Sequence, residues 1–284
     1  MEMRLDCLPC FLRQALEASR IVTKEQKIQT QILMESLEVI REFELYRCAP
    51  EVGRVIHSIV KRIAGNSDPY LRLKENNLKL AEQYYPALKD LILRKGATNE
   101  LVFKIAAIGN NLDAAIYPEV RDMALLDREM EKNFAICDLQ EFERRLTDAK
   151  SLLIIGDNAG ETVFDRILTE QFSDLEITYA VRSAPIINDA TVDDALAARL
   201  DQRARVISSG CDAPGLILEE CTLEFIQIFN QADLVISKGQ GNYETLSETA
   251  GREIFFLLKA KCPVIAADLR VAVGEYIFKF IPGC

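Results

Sequence analysis

Apolar positions in the first half of the chain recur at helical spacing. Cys10–Ala18, Ile28–Phe43, Pro50–Ile63, Leu71–Leu93 and Glu100–Ile116 each gather hydrophobic side chains on one face of a helix. Breakers separate them: Gly65-Asn66-Ser67-Asp68-Pro69, Lys95-Gly96-Ala97-Thr98-Asn99 and Tyr117-Pro118. From about residue 150 the pattern changes to short apolar runs alternating with amphipathic segments. Leu152–Gly156, Glu176–Val181, Arg205–Ser208, Asp233–Ser237 and Pro263–Ala267 read as strands, and Ile254–Leu258 as a further strand or the end of a helix. Glu161–Phe172, Val192–Leu200, Glu219–Gln231 and Glu244–Glu248 read as the helices between them. Such alternation predicts a mainly parallel sheet with helices on both faces. The expected organisation is an all-helical bundle or cap over residues 1–148, followed by an α/β domain over 149–284.

Composition narrows the partners. A chain of 284 residues can bury a large core and two subdomains. Its formal charge of −10 argues against nucleic acid, because phosphate backbones are held by clustered Lys and Arg. A small phosphorylated metabolite, held by one local cluster and a metal, remains compatible with that charge. No apolar run approaches the ~20 residues needed to span a bilayer, so no membrane partner is expected. The opening MEMRLDCLPC lacks the basic region and apolar stretch of a signal peptide, and a cytoplasmic location is expected. The oligomeric state is not legible in the sequence.

Eight cysteines fit that compartment if they are mostly reduced. Cys137, Cys211, Cys221 and Cys262 lie in apolar or helical stretches and read as small buried hydrophobes. Cys7-Leu8-Pro9-Cys10 stands apart, since a CxxC pair can hold half a zinc site, act as a redox pair, or simply pack at a helix start. Cys48 can join it only if the fold brings it near. His57, the only histidine, has no ligand-spaced partner and reads as structural.

Candidate chemistry gathers where strands end, which is where open parallel sheets bind ligands. The first strand runs into Asp157-Asn158-Ala159-Gly160-Glu161, a carboxylate beside an amide. The second runs into Arg182-Ser183-Ala184-Pro185-Ile186-Ile187-Asn188-Asp189-Ala190-Thr191, which repeats that pairing. In both places an N-cap on the following helix is the competing role, with Asp157, Asn158, Asp189 or Thr191 as the cap. The third ends in Ser208-Ser209-Gly210-Cys211-Asp212-Ala213-Pro214-Gly215, either an anion-binding nest or an ordinary turn. The fourth ends in Ser237-Lys238-Gly239-Gln240-Gly241-Asn242, a lysine flanked by glycines that admit a ligand to the backbone. Taken together these ends describe a site for one divalent cation and one phosphoryl group. Oxygen ligands favour Mg²⁺ or Mn²⁺ over zinc, and no GxxxxGK[ST] pattern marks an ATP-hydrolysing loop.

These residues resemble the metal-dependent damage-control phosphatase family, a group long carried as a domain of unknown function that also includes the acidic-residue methyltransferase-like proteins. The resemblance covers nearly the whole chain. It extends to Asp68-Pro69-Tyr70 with Lys74 and Asn77, and to Gly109-Asn110-Asn111-Leu112-Asp113. The CxxC near the start is similar to that of a prokaryotic subgroup. The resemblance implies a helical domain packed on a Rossmann-like three-layer α/β/α domain, with the site in the cleft between them. It implies that Asp157, Asn158 and Asp189 coordinate one divalent ion (Mn²⁺, Mg²⁺, Co²⁺ or Ni²⁺) and that Lys238 contacts the phosphate. Family members hydrolyse phosphate esters of sugars and related, often damaged, metabolites.

On this reading a metal-activated water attacks the phosphorus, with Glu161 or Asp189 accepting its proton. Asn110 and Asp113 would bind sugar hydroxyls, and Asn188, Arg182 and Asn242 would join Lys238 in holding the substrate. Three rivals stand beside it. Asp157 could itself be the nucleophile, although such enzymes place a second Asp two residues on, where this chain has Ala159. The turn Gly156–Gly160 could serve a carboxyl methyltransferase using S-adenosylmethionine. Cys7 and Cys10 could define a metal-binding module without catalysis.

Overall fold

The computed structural model describes residues 1–109 and 123–283. Seven strands form one sheet: β1 (Phe134–Cys137), β2 (Ser151–Ile155), β3 (Glu176–Val181), β4 (Arg205–Ser208), β5 (Leu234–Lys238), β6 (Ile254–Lys259) and β7 (Tyr276–Ile281). Their order across the sheet is β1-β7-β6-β5-β2-β3-β4, parallel except where β6 meets β7. The apolar run of β2 is buried on both faces, which is why it reads as continuous hydrophobicity rather than alternation.

Alternate residues of each strand feed two cores. Leu152 and Ile154 face a layer built from α4 (Leu71–Lys95), α5 (Asn99–Ile108), α7 (Leu139–Leu146), α8 (Glu161–Gln171) and α9 (Val192–Ala197). Leu153 and Ile155 face α10 (Leu223–Gln231), α11 (Gln240–Leu246) and α12 (Pro263–Leu269). The result is helix, sheet and helix in three layers. Helix α6 (Met123–Glu131) precedes β1 and packs Leu126 into the first of these cores.

The helices α1 (Cys7–Val22), α2 (Gln26–Arg41) and α3 (Ala49–Ala64) pack on one another through Phe11, Ala15, Ile32, Ile40, Val52, Ile56 and Val60. This bundle sits over the carboxyl ends of the strands. Lys61 of α3 donates to the Pro185 carbonyl after β3, and Arg54 pairs with Asp212 after β4 at 2.5 Å. His57 is buried against Tyr70 in edge-on contact.

Several expectations are corrected. Pro263–Ala267 is helix α12, not a strand: Pro263 sits in its first turn, where a fixed φ and a missing N–H suit a helix start. Ile254–Leu258 is strand β6. Strands β1 and β7 were not anticipated, and β1 joins the sheet ahead of the boundary expected at 148. The helices α4 and α5, expected within a separate bundle, are part of the layer that covers the sheet. Cys137 is exposed on the edge strand, and Cys221 and Cys262 are only half-buried, whereas Cys211 is buried as expected. Among the described residues, no helix is long and apolar enough to cross a membrane.

Candidate active site

Strand order reverses between β2 and β5: β3 and β4 extend the sheet on one side, β6 on the other. A crevice opens outside the carboxyl ends of strands at such a switch point. Asp157 follows β2 there, and Lys238 ends β5.

Backbone pairing then brings the loops after β2 and β3 together. The Ala190 N–H donates to the Asp157 carbonyl at 2.7 Å, and the Ala159 N–H to the Asn188 carbonyl at 2.8 Å. Asn158 and Asp189 thereby face each other as an antiparallel bridge. Ile187, just before, adopts φ 45°, a left-handed conformation that costs a β-branched residue roughly 1–3 kcal/mol. Gly239 also has positive φ, and a Cβ there would lie 2.1 Å from the Asp157 carboxyl group. Only glycine lets the β5 end pass this close to Asp157.

Neither acidic pair caps a helix. Gly160 is the N-cap of α8 without a side-chain bond. Thr191 caps α9, with the Asp194 carboxylate accepting from its N–H at 2.9 Å. Capping, the role that competed with ligation in the sequence, thus falls to Gly160 and Thr191.

A bonded network surrounds them. Asn158 Nδ2 donates to Glu161 Oε1 at 2.6 Å and to Asp157 Oδ2 at 3.2 Å. Lys238 Nζ donates to Glu161 Oε2 at 2.7 Å and to Asp165 Oδ1 at 2.6 Å. The Tyr179 hydroxyl donates to Asp165 Oδ2 at 2.6 Å. On the other side Arg182 Nε donates to Asp189 Oδ2 at 2.8 Å, and Arg182 Nη2 to Asn242 Oδ1 at 2.9 Å. Asn242 in turn donates to the carbonyls of Gly156 and Lys238. Arg182 and Asn242, expected to touch substrate, are engaged with Asp189 and the strand-end backbone. Asn188 is half-buried, and its carbonyl ties the two loops. Asn110 and Asp113 lie outside the described residues.

The site holds an excess of negative charge. Among the described residues, the buried carboxylates Asp157, Glu161, Asp165 and Asp189 stand here against the buried cations Lys238 and Arg182, four against two. Burial, reinforced by Glu161 and Asp189, pushes the Asp157 carboxyl up to about 8. Burial raises Asp189 as well, against the pull of Arg182, and lifts Asp165 to about 6. Carboxyls held this far from their ordinary range need a cation to ionise together. Among the described residues no group of three His, Cys, Asp or Glu side chains is arranged to hold a metal. The candidate set has two carboxylates and one amide, Asp157, Asp189 and Asn158, which suits a hard ion that keeps several waters.

The CxxC pair borders a neighbouring cavity, which none of Asp157, Asn158, Asp189 and Lys238 lines. Cys7 and Cys10, in the first turns of α1, line this cavity of about 460 Å³ with Ile187, Gly241, Lys261 and Cys262. Its walls come from loops after β3, β5 and β6, and the charge of Lys261 is felt at Asp157 and Asp189. Both thiols are free. Cys48 is buried at the start of α3 and does not line this cavity. On the helical side, Lys74 is buried between Asp68 and Asp194 at 2.9 and 3.0 Å. Sequence reasoning missed Asp165 and Tyr179. The available signal was position, since Asp165 lies one helical turn after Glu161 and shares its face.

The family model for the damage-control phosphatase ARMT1-like domain matches residues 3–277. Damage-control phosphatase PH1575 of Pyrococcus horikoshii is 35% identical, over 98% of this chain and 97% of its own length. A damage-control phosphatase of Archaeoglobus fulgidus is 31% identical, over 97% of this chain and 98% of its own. The crystal structure of PH1575, described as a DUF89 family protein, superposes with a TM-score of 0.88 at 34% identity and covers 98% of each chain.

Proposed function

The chain belongs to the ARMT1-like damage-control phosphatase family, and on that premise we propose that it is a divalent-metal-dependent phosphatase of small phosphate esters, sugar phosphates or related damaged metabolites. One observation carries the reading: the pairing of the two strand-end loops sets Asp157, Asn158 and Asp189 side by side, where buried carboxylates outnumber buried cations among the described residues. Mn²⁺, Mg²⁺, Co²⁺ or Ni²⁺ held by these three would supply Lewis acidity toward a phosphoryl oxygen and a more acidic water.

The chain's own groups do the rest. Lys238 has two of its three N–H bonds engaged by Glu161 and Asp165, so one remains for an equatorial phosphoryl oxygen, where negative charge develops. Arg182 holds Asp189 through one oxygen, and the other would be the one offered to a cation or to the water's proton. Glu161 or Asp189 accepts the water's proton. Asn188, half-buried beside Asp189, contacts the ester, and Asn110 and Asp113 hold its hydroxyls.

Asp157→Ala tests the reading. The variant is expected to fold, by circular dichroism, and to lose turnover of p-nitrophenyl phosphate and of a sugar-phosphate panel with each of the four metals. Near-normal metal-dependent hydrolysis would refute the assignment. The methyltransferase alternative fits less well, because Gly156 and Gly160 face Tyr179 and Asn77, not open space for a cofactor. Calorimetry with S-adenosylmethionine separates the two.

A further inference from the structure

We propose that Asp165, held by Tyr179, positions Lys238, and so determines which of its N–H bonds is presented to the phosphoryl group. The inference rests on the phosphatase reading above and adds to it a positioning role for Asp165 and Tyr179.

Glu161 and Asp165 stand one turn apart on α8, so their carboxylates share a face. Two like charges there are unfavourable unless a cation joins them, and Lys238 does so from the end of β5 at 2.7 and 2.6 Å. The two carboxylates then differ in what else they hold. Glu161 also accepts from Asn158 and so connects the ammonium to the candidate metal ligands. Asp165 spends its second oxygen on the Tyr179 hydroxyl at 2.6 Å. Tyr179 rises from β3, next to β2, and is itself fully buried. Asp165 is thus fixed by its helix, by the sheet and by the lysine together.

The end of β2 is shaped around this contact. A Cβ at Gly156 would fall 2.7 Å from the Tyr179 oxygen, so a side chain there would drive the tyrosine off Asp165. Stability alone accounts poorly for such an array, because a buried ion pair seldom outperforms apolar side chains of similar volume. Positioning accounts for it better. A lysine stem carries large rotamer entropy, and an ammonium fixed beforehand need not be ordered when the ester arrives.

The test uses the full chain, p-nitrophenyl phosphate and Mn²⁺, with Asp165→Asn and the gentler Tyr179→Phe. Asp165→Asn is expected to lower kcat/KM on the order of 10- to 100-fold, the usual effect of removing a group that orients a ligating or contacting residue. Inhibition by inorganic phosphate should weaken in step, while Mn²⁺ affinity by electron paramagnetic resonance titration stays at the wild-type value. Tyr179→Phe should show a smaller loss in the same two quantities. A fall in melting temperature with kcat/KM and phosphate inhibition intact in both variants would make the array structural and overturn the proposal. So would a loss of Mn²⁺ affinity proportional to the loss of rate, which would place the effect on the metal ligands through Glu161. If the wild-type protein neither turns over any ester nor binds phosphate, the phosphatase reading itself falls and takes this one with it.

Discussion

Lys74 and Lys238 look nearly alike in isolation. Each is almost wholly buried, at 2% and 1% exposure, and each is bonded to two carboxylates. Their surroundings separate them. Around Lys74 the acids have other work: Asp68 accepts the Tyr70 N–H, and Asp194 accepts from both the N–H and the hydroxyl of Thr191. Lys61 adds a further positive charge close enough to act on Asp68. That trio joins α4 to α9 and is electrostatically finished. Among the described residues, the Lys238 trio adjoins two more buried carboxylates, Asp157 and Asp189, offset by Arg182 and by the charge of Lys261. A buried lysine between acids is therefore not a site signal in itself. The surplus of carboxylate beside it is what calls for a cation.

Replacing each lysine by methionine should pull the two apart. Lys74→Met leaves two acids without their cation and should cost about 3–5 kcal/mol of stability, read from the denaturant midpoint. Its folded fraction should bind Mn²⁺ and turn over ester as the wild type does. Lys238→Met should destabilise comparably, yet also lower kcat by about 10²- to 10³-fold, with Mn²⁺ bound no more weakly because the pocket has become more negative. A Lys74→Met protein that is stable but catalytically crippled would erase the distinction.

The same contrast shows what the sequence could and could not reveal. The strand ends were legible because Asp157-Asn158 and Asn188-Asp189 follow apolar runs, and the register of a parallel sheet carries them to one edge. Glu161 was visible as part of that run of ligands. Asp165 was not, because a carboxylate inside an amphipathic helix reads as its solvent face until Lys238 is known to arrive from β5. Arg182 and Asn242 were legible near the site, but not that Arg182 donates to Asp189 and to Asn242 Oδ1, or that Asn242 donates to the carbonyls of Gly156 and Lys238. Fold errors have equally local causes. Pro263–Ala267 is apolar enough for a strand, but its leading proline favours a helix start. The short β1 alternates half-buried and exposed positions, too weak a pattern to announce an edge strand.

The helical bundle carries a pH dependence that the site does not share. Burial and the charge of Lys61 push His57 down from 6.5 to about 4, so the folded protein keeps this imidazole neutral, packed on Tyr70. With the folded value depressed below the unfolded one, its contribution is fully present above about pH 6.5 and is lost as pH falls toward 4. Linkage gives a loss of ~2 kcal/mol between pH 8 and pH 5 from this group. Urea denaturation at the two values, for wild type and His57→Phe, measures it. The variant should show a flatter difference, and an equal slope in both proteins would mean that the imidazole is not the source.

The smallest expected effect concerns the thiols of the neighbouring cavity. Residues three apart on a helix place their Cα atoms within disulfide reach, and Cys7 and Cys10 border the cavity that also touches Ile187 and Gly241. Neither sulfur bonds to any of the candidate metal ligands, and Cys10 accepts only from Gln14, at 3.4 Å. The pair therefore belongs to the wall of that cavity and not to the charge balance of the site. A Cys7→Ser, Cys10→Ser double variant should retain bound Mn²⁺ at the wild-type stoichiometry and change kcat/KM by less than about tenfold, roughly 1.4 kcal/mol, with KM carrying the change. Alkylating Cys10 in the wild type should lower kcat/KM further than the double serine does, because bulk enters the cavity that serine leaves open. Loss of bound metal from the double variant, with turnover abolished, would move the thiols into the charged half of the comparison.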